Sequence, residues 1–172
     1  MELELKRGGR TARVETLGGE LVSYRDERGL EYIWGGDPAY WPGRNPLLFP
    51  IVGMLKEGKI RFDGREYAME RHGFARRREF TPAARGEDWV RLELRESAET
   101  LALYPYPFRL AVEQRLTDTG FSTAVTVANP GEGPLPFCLG AHTGFRCPLE
   151  AGERFEDYEL VFPERESCPT LL

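Results

Sequence analysis

Histidine is nearly absent from this sequence: His72 and His142 are the only two in 172 residues, and lysine occurs three times against 20 arginines. No apolar run approaches the roughly 20 residues that a membrane-crossing helix needs. The opening MELELKRGGR is charged and alternating, so it reads as neither a signal peptide nor a membrane anchor. The three cysteines, Cys138, Cys147 and Cys168, are odd in number and not spaced as zinc ligands, which points to a reduced, cytoplasmic protein. Cationic excess is missing too. A net charge of −5 gives no electrostatic case for nucleic acid or an anionic membrane as partner. A Gly-rich phosphate loop, a GxSxG elbow and a metal-spaced His/Cys/Asp cluster are all absent.

What is present describes a folded β-protein. Hydrophobic residues make up 41% and charged residues 30%, an ordinary globular balance. The length suits one domain over residues 1–172. Period-two alternation dominates. In Asp88–Glu96, Val90, Leu92 and Leu94 share one face and Arg91, Glu93 and Arg95 the other, as in a half-buried strand. Residues 109–129 form two alternating runs around Asp118-Thr119-Gly120, read as a hairpin whose glycine takes a positive φ. Asp63-Gly64 between two further runs predicts a two-residue type I′ turn.

Shorter strands are expected at 2–6, 11–16, 20–25, 30–34, 78–83, 135–141 and 158–162, with turn residues between them at the spacing of a β-sandwich. Ser97 caps the only candidate helix, which Pro105 stops. The fold class expected is therefore all-β, an antiparallel β-sandwich.

The candidates for chemistry follow from scarcity. Imidazole suits proton transfer near neutral pH. His72 lies in Arg71-His-Gly-Phe-Ala-Arg76 and His142 in Leu139-Gly-Ala-His-Thr-Gly-Phe145, each near a strand end with Gly and Phe close behind. Taken singly, either could be structural or merely exposed. Two in similar settings point to one shared site, where glycine lets the backbone approach a ligand.

Trp41-Pro-Gly-Arg44-Asn-Pro-Leu-Leu-Phe-Pro-Ile-Val-Gly53 carries too many prolines for a helix or a central strand. Burial of its apolar end leaves Arg44 and Asn45 at the mouth of whatever it lines. A planar guanidinium fork suits adjacent hydroxyls or carboxylates, and equally suits loop carbonyls. Trp34, Trp41, Phe74 and Phe145 could stack on the apolar face of a sugar ring, although aromatics in β-proteins are more often core. The run Arg76-Arg77-Arg78 suits a solvated strand face better than a phosphate site.

These motifs together resemble a known family. Glu31-YIWGGDPAYWPGRNPLLFPIVG, HGFAR from His72, LYPYPF around Tyr104, VAN-P, and LPFCLGAHTGF occur in the order found in the aldose 1-epimerase (galactose mutarotase) superfamily, nearest its bacterial LacX-like branch. The similarity runs from about residue 15 to residue 162. It implies a large antiparallel sandwich that opens and recloses a pyranose ring to exchange α and β anomers of a free hexose, without metal or organic cofactor.

By position the resemblance makes His142 the general acid to the ring oxygen, and His72 the histidine that binds and polarises the sugar. Arg44 matches the arginine that grips hydroxyls; Asn45, Phe74 and Phe145 complete the expected binding set. Where the family usually has Pro and a small residue after the second histidine, Thr143 and Gly144 stand here.

Relatives run to nearly 300 residues with a glutamate base near the C-terminus, and this chain stops before that position. Glu57, Glu70, Glu150, Glu153 and Asp157 remain, none matching the base by motif. A fragment is the simplest expectation; loss of catalysis and completion by another chain are the others. A sandwich cut short predicts dimerisation, or aggregation, through the exposed edges of the final strands. The alternatives to an epimerase are a non-catalytic carbohydrate-binding or regulatory module, and a hexose-6-phosphate epimerase using Arg76 to Arg78.

Overall fold

Alternating burial dictates the first sheet. In the computed structural model, which describes residues 1–165, β1 (Glu2–Arg7), β2 (Arg10–Glu15) and β3 (Leu21–Arg25) pair antiparallel in that order. Leu3, Leu5, Ala12, Val14 and Leu21 turn inward while the charged residues between them face solvent. Leu3 pairs with Val14 and Leu5 with Ala12, so one register puts both strands' apolar sets on one face.

Further along come β4 (Leu47–Leu48), then the hairpin of β5 (Lys59–Phe62) and β6 (Arg65–Ala68). Its turn residues have positive φ, 47° at Asp63 and 79° at Gly64, as a type I′ turn demands. β7 (Thr81–Arg85), β8 (Trp89–Arg95), β9 (Arg109–Leu116) and β10 (Phe121–Ala128) form a second antiparallel sheet in the order β10-β9-β8-β7. Between β8 and β9, α1 (Ala98–Leu103) is closed by a capping box: Ser97 Oγ accepts from Thr100 N, and Thr100 Oγ1 accepts from Ser97 N.

The two sheets face each other across Leu5, Val14, Val90, Leu92, Leu110 and Val112, the layered packing of a β-sandwich. Gln114 is buried on this inner face, yet its amide donates to Gly19 O at 2.9 Å and accepts from Thr123 Oγ1 at 2.6 Å. Both halves of the amide are satisfied, which removes the usual cost of a buried polar group. A second apolar zone gathers Phe49, Phe62, Phe74, Tyr104 and Phe108, with ring centroids 5.2–6.4 Å apart where they touch. β11 (Gly140–Ala141) pairs with β4 beside this zone.

Several expectations need correction. Residues 30–34 form isolated bridges only, because the Glu31 carboxylate takes the backbone N–H groups of Tyr24 and Ile33 that a ladder would use. In 135–141 only Gly140 and Ala141 pair; Pro134 and Pro136 supply no donor there. Residues 158–162 are not a strand, and Leu160 and Val161 are about four-fifths exposed with no surface to bury against. Gly120 is not in the left-handed region, since Thr117–Gly120 is a four-residue loop closed by Thr117 N to Gly120 O. Cys168 lies outside the described residues. Among the described residues no helix is long and apolar enough to cross a membrane.

Candidate functional site

The two histidines meet. Their ring centroids lie 6.4 Å apart, although 70 positions separate them in the chain. Each is placed through a hydrogen bond from its own backbone N–H.

His72 occupies the left-handed region, φ 67°, which is uncommon outside glycine. Its N–H donates to Gly53 O at 2.8 Å, and Gly53 N–H donates back to His72 Nδ1 at 3.0 Å. With Nδ1 accepting, the neutral ring carries its proton on Nε2. Partial burial, and then the charges of Arg71 and Arg76 and the neighbouring His142, push its pKa below the ordinary 6.5. His72 thus presents a neutral imidazole with an Nε2–H donor.

His142 follows β11, and its N–H donates to Pro46 O at 3.1 Å. Its ring packs edge-on to Trp41 with centroids 4.9 Å apart. Trp41 is fixed in turn by Trp34, whose Nε1–H donates to Trp41 O at 2.8 Å. The His142 loop is laced to the Arg44 segment by Gly144 N to Arg44 O at 2.7 Å and by Thr143 Oγ1 to Asn45 Oδ1 at 2.6 Å.

Arg44 and Asn45 are held from behind. One oxygen of Glu20 accepts both of their backbone N–H groups, at 2.9 and 2.5 Å. The Arg44 guanidinium touches Gly35 O through Nε at 3.3 Å and Glu15 through Nη1 at 3.7 Å. The loop-carbonyl reading of Arg44 is therefore realised at Nε, while the outer nitrogens retain free donors.

Among the expected binding residues, Phe74 needs correction. It is 4% exposed, wedged between Phe49, Tyr104 and Phe108, and offers no face to a ligand. Phe145 is 66% exposed and bridges Ile33 through its backbone. The glycines following the histidines also serve a different purpose from the one expected. A Cβ at Gly73 would lie 2.2 Å from Phe49 O, and one at Gly144 would lie 2.8 Å from Trp41. Both admit the protein's own atoms rather than a ligand.

Motif reading missed Glu20, Gly53 and Thr143. Glu20 sits in a distant turn with no local signal, whereas Gly53 and Thr143 lie inside quoted motifs, Thr143 as a departure from the family pattern, and their hydrogen bonds show what they do.

Four of the acids considered as a base have other partners. Glu70 pairs with Arg77, Glu150 with Arg28, Asp157 with Arg154, and Glu153 accepts from the Tyr158 hydroxyl. Among the described residues no carboxylate hydrogen-bonds to either imidazole. Arg77 and Arg78 are engaged by Glu70 and Glu99, and Arg76 donates to Arg71 O, so the basic run does not converge on one anion. No cluster of metal-ligating side chains is found among the described residues.

The family model described as aldose 1-epimerase matches residues 1–171. The plasmid-encoded protein LacX of Lactococcus lactis subsp. lactis is 41% identical over 174 aligned positions, covering 98% of this chain and 58% of that protein. Its chromosomal counterpart matches to the same extent. Among solved structures, a galactose mutarotase related enzyme from Lactobacillus acidophilus superposes with TM-score 0.88 at 28% identity, covering 91% of this chain and 53% of its own. A galactose mutarotase-like protein from Lactobacillus casei gives 0.83 at 33% identity, with 88% and 52% covered. The chain thus spans a little over half the length of the relatives it matches.

Proposed function

Because the chain belongs to the aldose 1-epimerase family, we propose that the His72–His142 site binds a free hexose and contributes to exchange of its α and β anomers. The observation that carries this reading is the convergence of the only two imidazoles, 6.4 Å apart, with Trp41 against His142 and the Arg44–Asn45 segment bonded to the His142 loop. A pyranose offers a ring oxygen that needs a proton, hydroxyls that need donors and an apolar face that suits an indole edge.

The reaction needs one proton delivered to the ring oxygen while another leaves the anomeric hydroxyl. The C1–O5 bond then breaks, with the electron pair going to O5, and C1 becomes an aldehyde. Rotation about C1–C2 and the reverse steps give the other anomer. His142 is the proposed acid, since protonated imidazole delivers a proton near neutral pH. His72 is the proposed hydrogen-bond donor that polarises the sugar through Nε2–H. Arg44 and Asn45 fix hydroxyls, with Trp41 beneath the ring. No cofactor has a step to perform in this scheme.

One observation favours a second reading, a carbohydrate-binding module without turnover: no described carboxylate engages either imidazole, so the base for the anomeric proton has no assigned side chain. A hexose-6-phosphate epimerase is less well supported, because Glu70 and Glu99 occupy two of the three arginines it would use. The proposal also includes self-association through the outer edge of β10, which has no partner strand among the described residues.

Titration of D-glucose and D-galactose into labelled protein tests the binding half of this reading. The ring signals of both histidines should shift together, and Arg44→Ala should weaken binding by roughly tenfold, the scale of one charge-assisted hydrogen bond. Shifts confined to residues remote from both rings would refute the site.

A further inference from the structure

We infer that Thr143 is a positioning residue that orients the Asn45 carboxamide for a sugar hydroxyl; this rests on the sugar-binding reading of the site. Asn45 is pinned at both ends. Its backbone N–H is held by the Glu20 carboxylate at 2.5 Å, and its side-chain Oδ1 accepts the Thr143 hydroxyl at 2.6 Å. An amide whose oxygen is already taken has its Nδ2–H₂ group left to donate. Asn45 therefore acts as a donor, able to bind a hydroxyl oxygen lone pair.

The bond joins exposed and half-buried side chains, so it contributes little to the core. Its place is what matters. Thr143 directly follows His142, and the backbone bonds on either side, His142 N to Pro46 O and Gly144 N to Arg44 O, already register the two loops. Neither backbone bond acts on the Asn45 side chain. Thr143 alone does so, and it couples the side-chain geometry of the gripping segment to the loop that carries His142. Gly144, which cannot carry a Cβ against Trp41, keeps the loop close enough for this contact.

The test compares the parent with Thr143→Val and Thr143→Ser, reading two signals: backbone-independent ordering of the Asn45 Nδ2–H₂ group by ¹⁵N relaxation, and affinity for D-glucose and D-galactose. Valine keeps the shape and removes the hydroxyl; serine restores the hydroxyl. Thr143→Val should release the Asn45 amide and weaken sugar binding about three- to tenfold, the worth of one hydrogen bond, with melting temperature nearly unchanged. Thr143→Ser should recover both signals. A parent that binds neither sugar overturns the sugar reading, and this role with it. A parent that binds, with a Thr143→Val variant that binds equally well and keeps Asn45 ordered, overturns the role of Thr143 alone.

Discussion

Gly53 donates its backbone N–H to Nδ1 of His72, and burial together with Arg71, Arg76 and His142 disfavours a second proton on that ring. The folded pKa lies below 6.5, so the unfolded chain binds the proton more readily. The stability that neutral His72 contributes is present above about pH 6.5 and is lost as pH falls through the lower folded value. An NMR titration should place the His72 midpoint below 6.5, with the Gly53 amide signal moving in step; a midpoint at or above 6.5 would contradict this environment. At this scale the sequence was partly legible. The scarcity of histidine pointed to His72 and His142 directly. Phe74 misled, because a motif places a ring beside a histidine in sequence while the core decides which way it turns. Glu20 was invisible, since a side chain that reaches backbone N–H groups 24 and 25 residues away leaves no local pattern.

Glu31 shows how one carboxylate can replace a strand. It accepts from Ser23 Oγ at 2.5 Å, Tyr24 N at 2.9 Å and Ile33 N at 3.0 Å, tying β3 to the segment that leads toward Trp34 and Arg44. Burial alone would raise its pKa, but these donors outweigh burial and hold it below 4.5. Its contribution is therefore present above pH 4.5 and is lost as pH falls through the folded value. Glu31→Gln should destabilise the protein by about 1–3 kcal/mol at neutral pH, read from denaturant unfolding, because a neutral amide cannot satisfy all these donors. An unchanged unfolding midpoint would remove this element from the account. The elements with strong local chemistry were readable in advance: the Asp63-Gly64 hairpin, the Ser97 cap and the alternating β8 and β9. Residues 30–34 and 135–141 are apolar enough to read as strands, but ladder formation depends on which donors remain available. That is settled by Glu31 and by proline, across space.

At the scale of the whole molecule, apolar surface is concentrated where the second half of the chain runs. Phe137, Leu139, Phe145, Phe155, Leu160, Val161 and Phe162 are all substantially exposed, as are Val52 and Met54 near the β4–β11 pair. Strand β10 adds an edge without a partner among the described residues, and open edges recruit strands. Light scattering after gel filtration should show concentration-dependent self-association, reduced by Ala124→Lys on β10; a monomer at every concentration would contradict pairing through that edge. The sandwich class followed from alternation and turn spacing, whereas the shape of this surface depends on which parts of the chain cover which others.

The central claim is that His72 and His142 form one site acting on the anomeric centre of a hexose. Polarimetry on freshly dissolved α-D-glucose and α-D-galactose, with the parent chain beside His142→Ala, tests it most directly. The account predicts that the parent accelerates the approach to anomeric equilibrium and that His142→Ala loses at least about 100-fold of that acceleration, the scale of a positioned general acid. Equal acceleration by both proteins, or a parent that neither accelerates mutarotation nor binds the sugars, would contradict it; binding without acceleration would select the module without turnover.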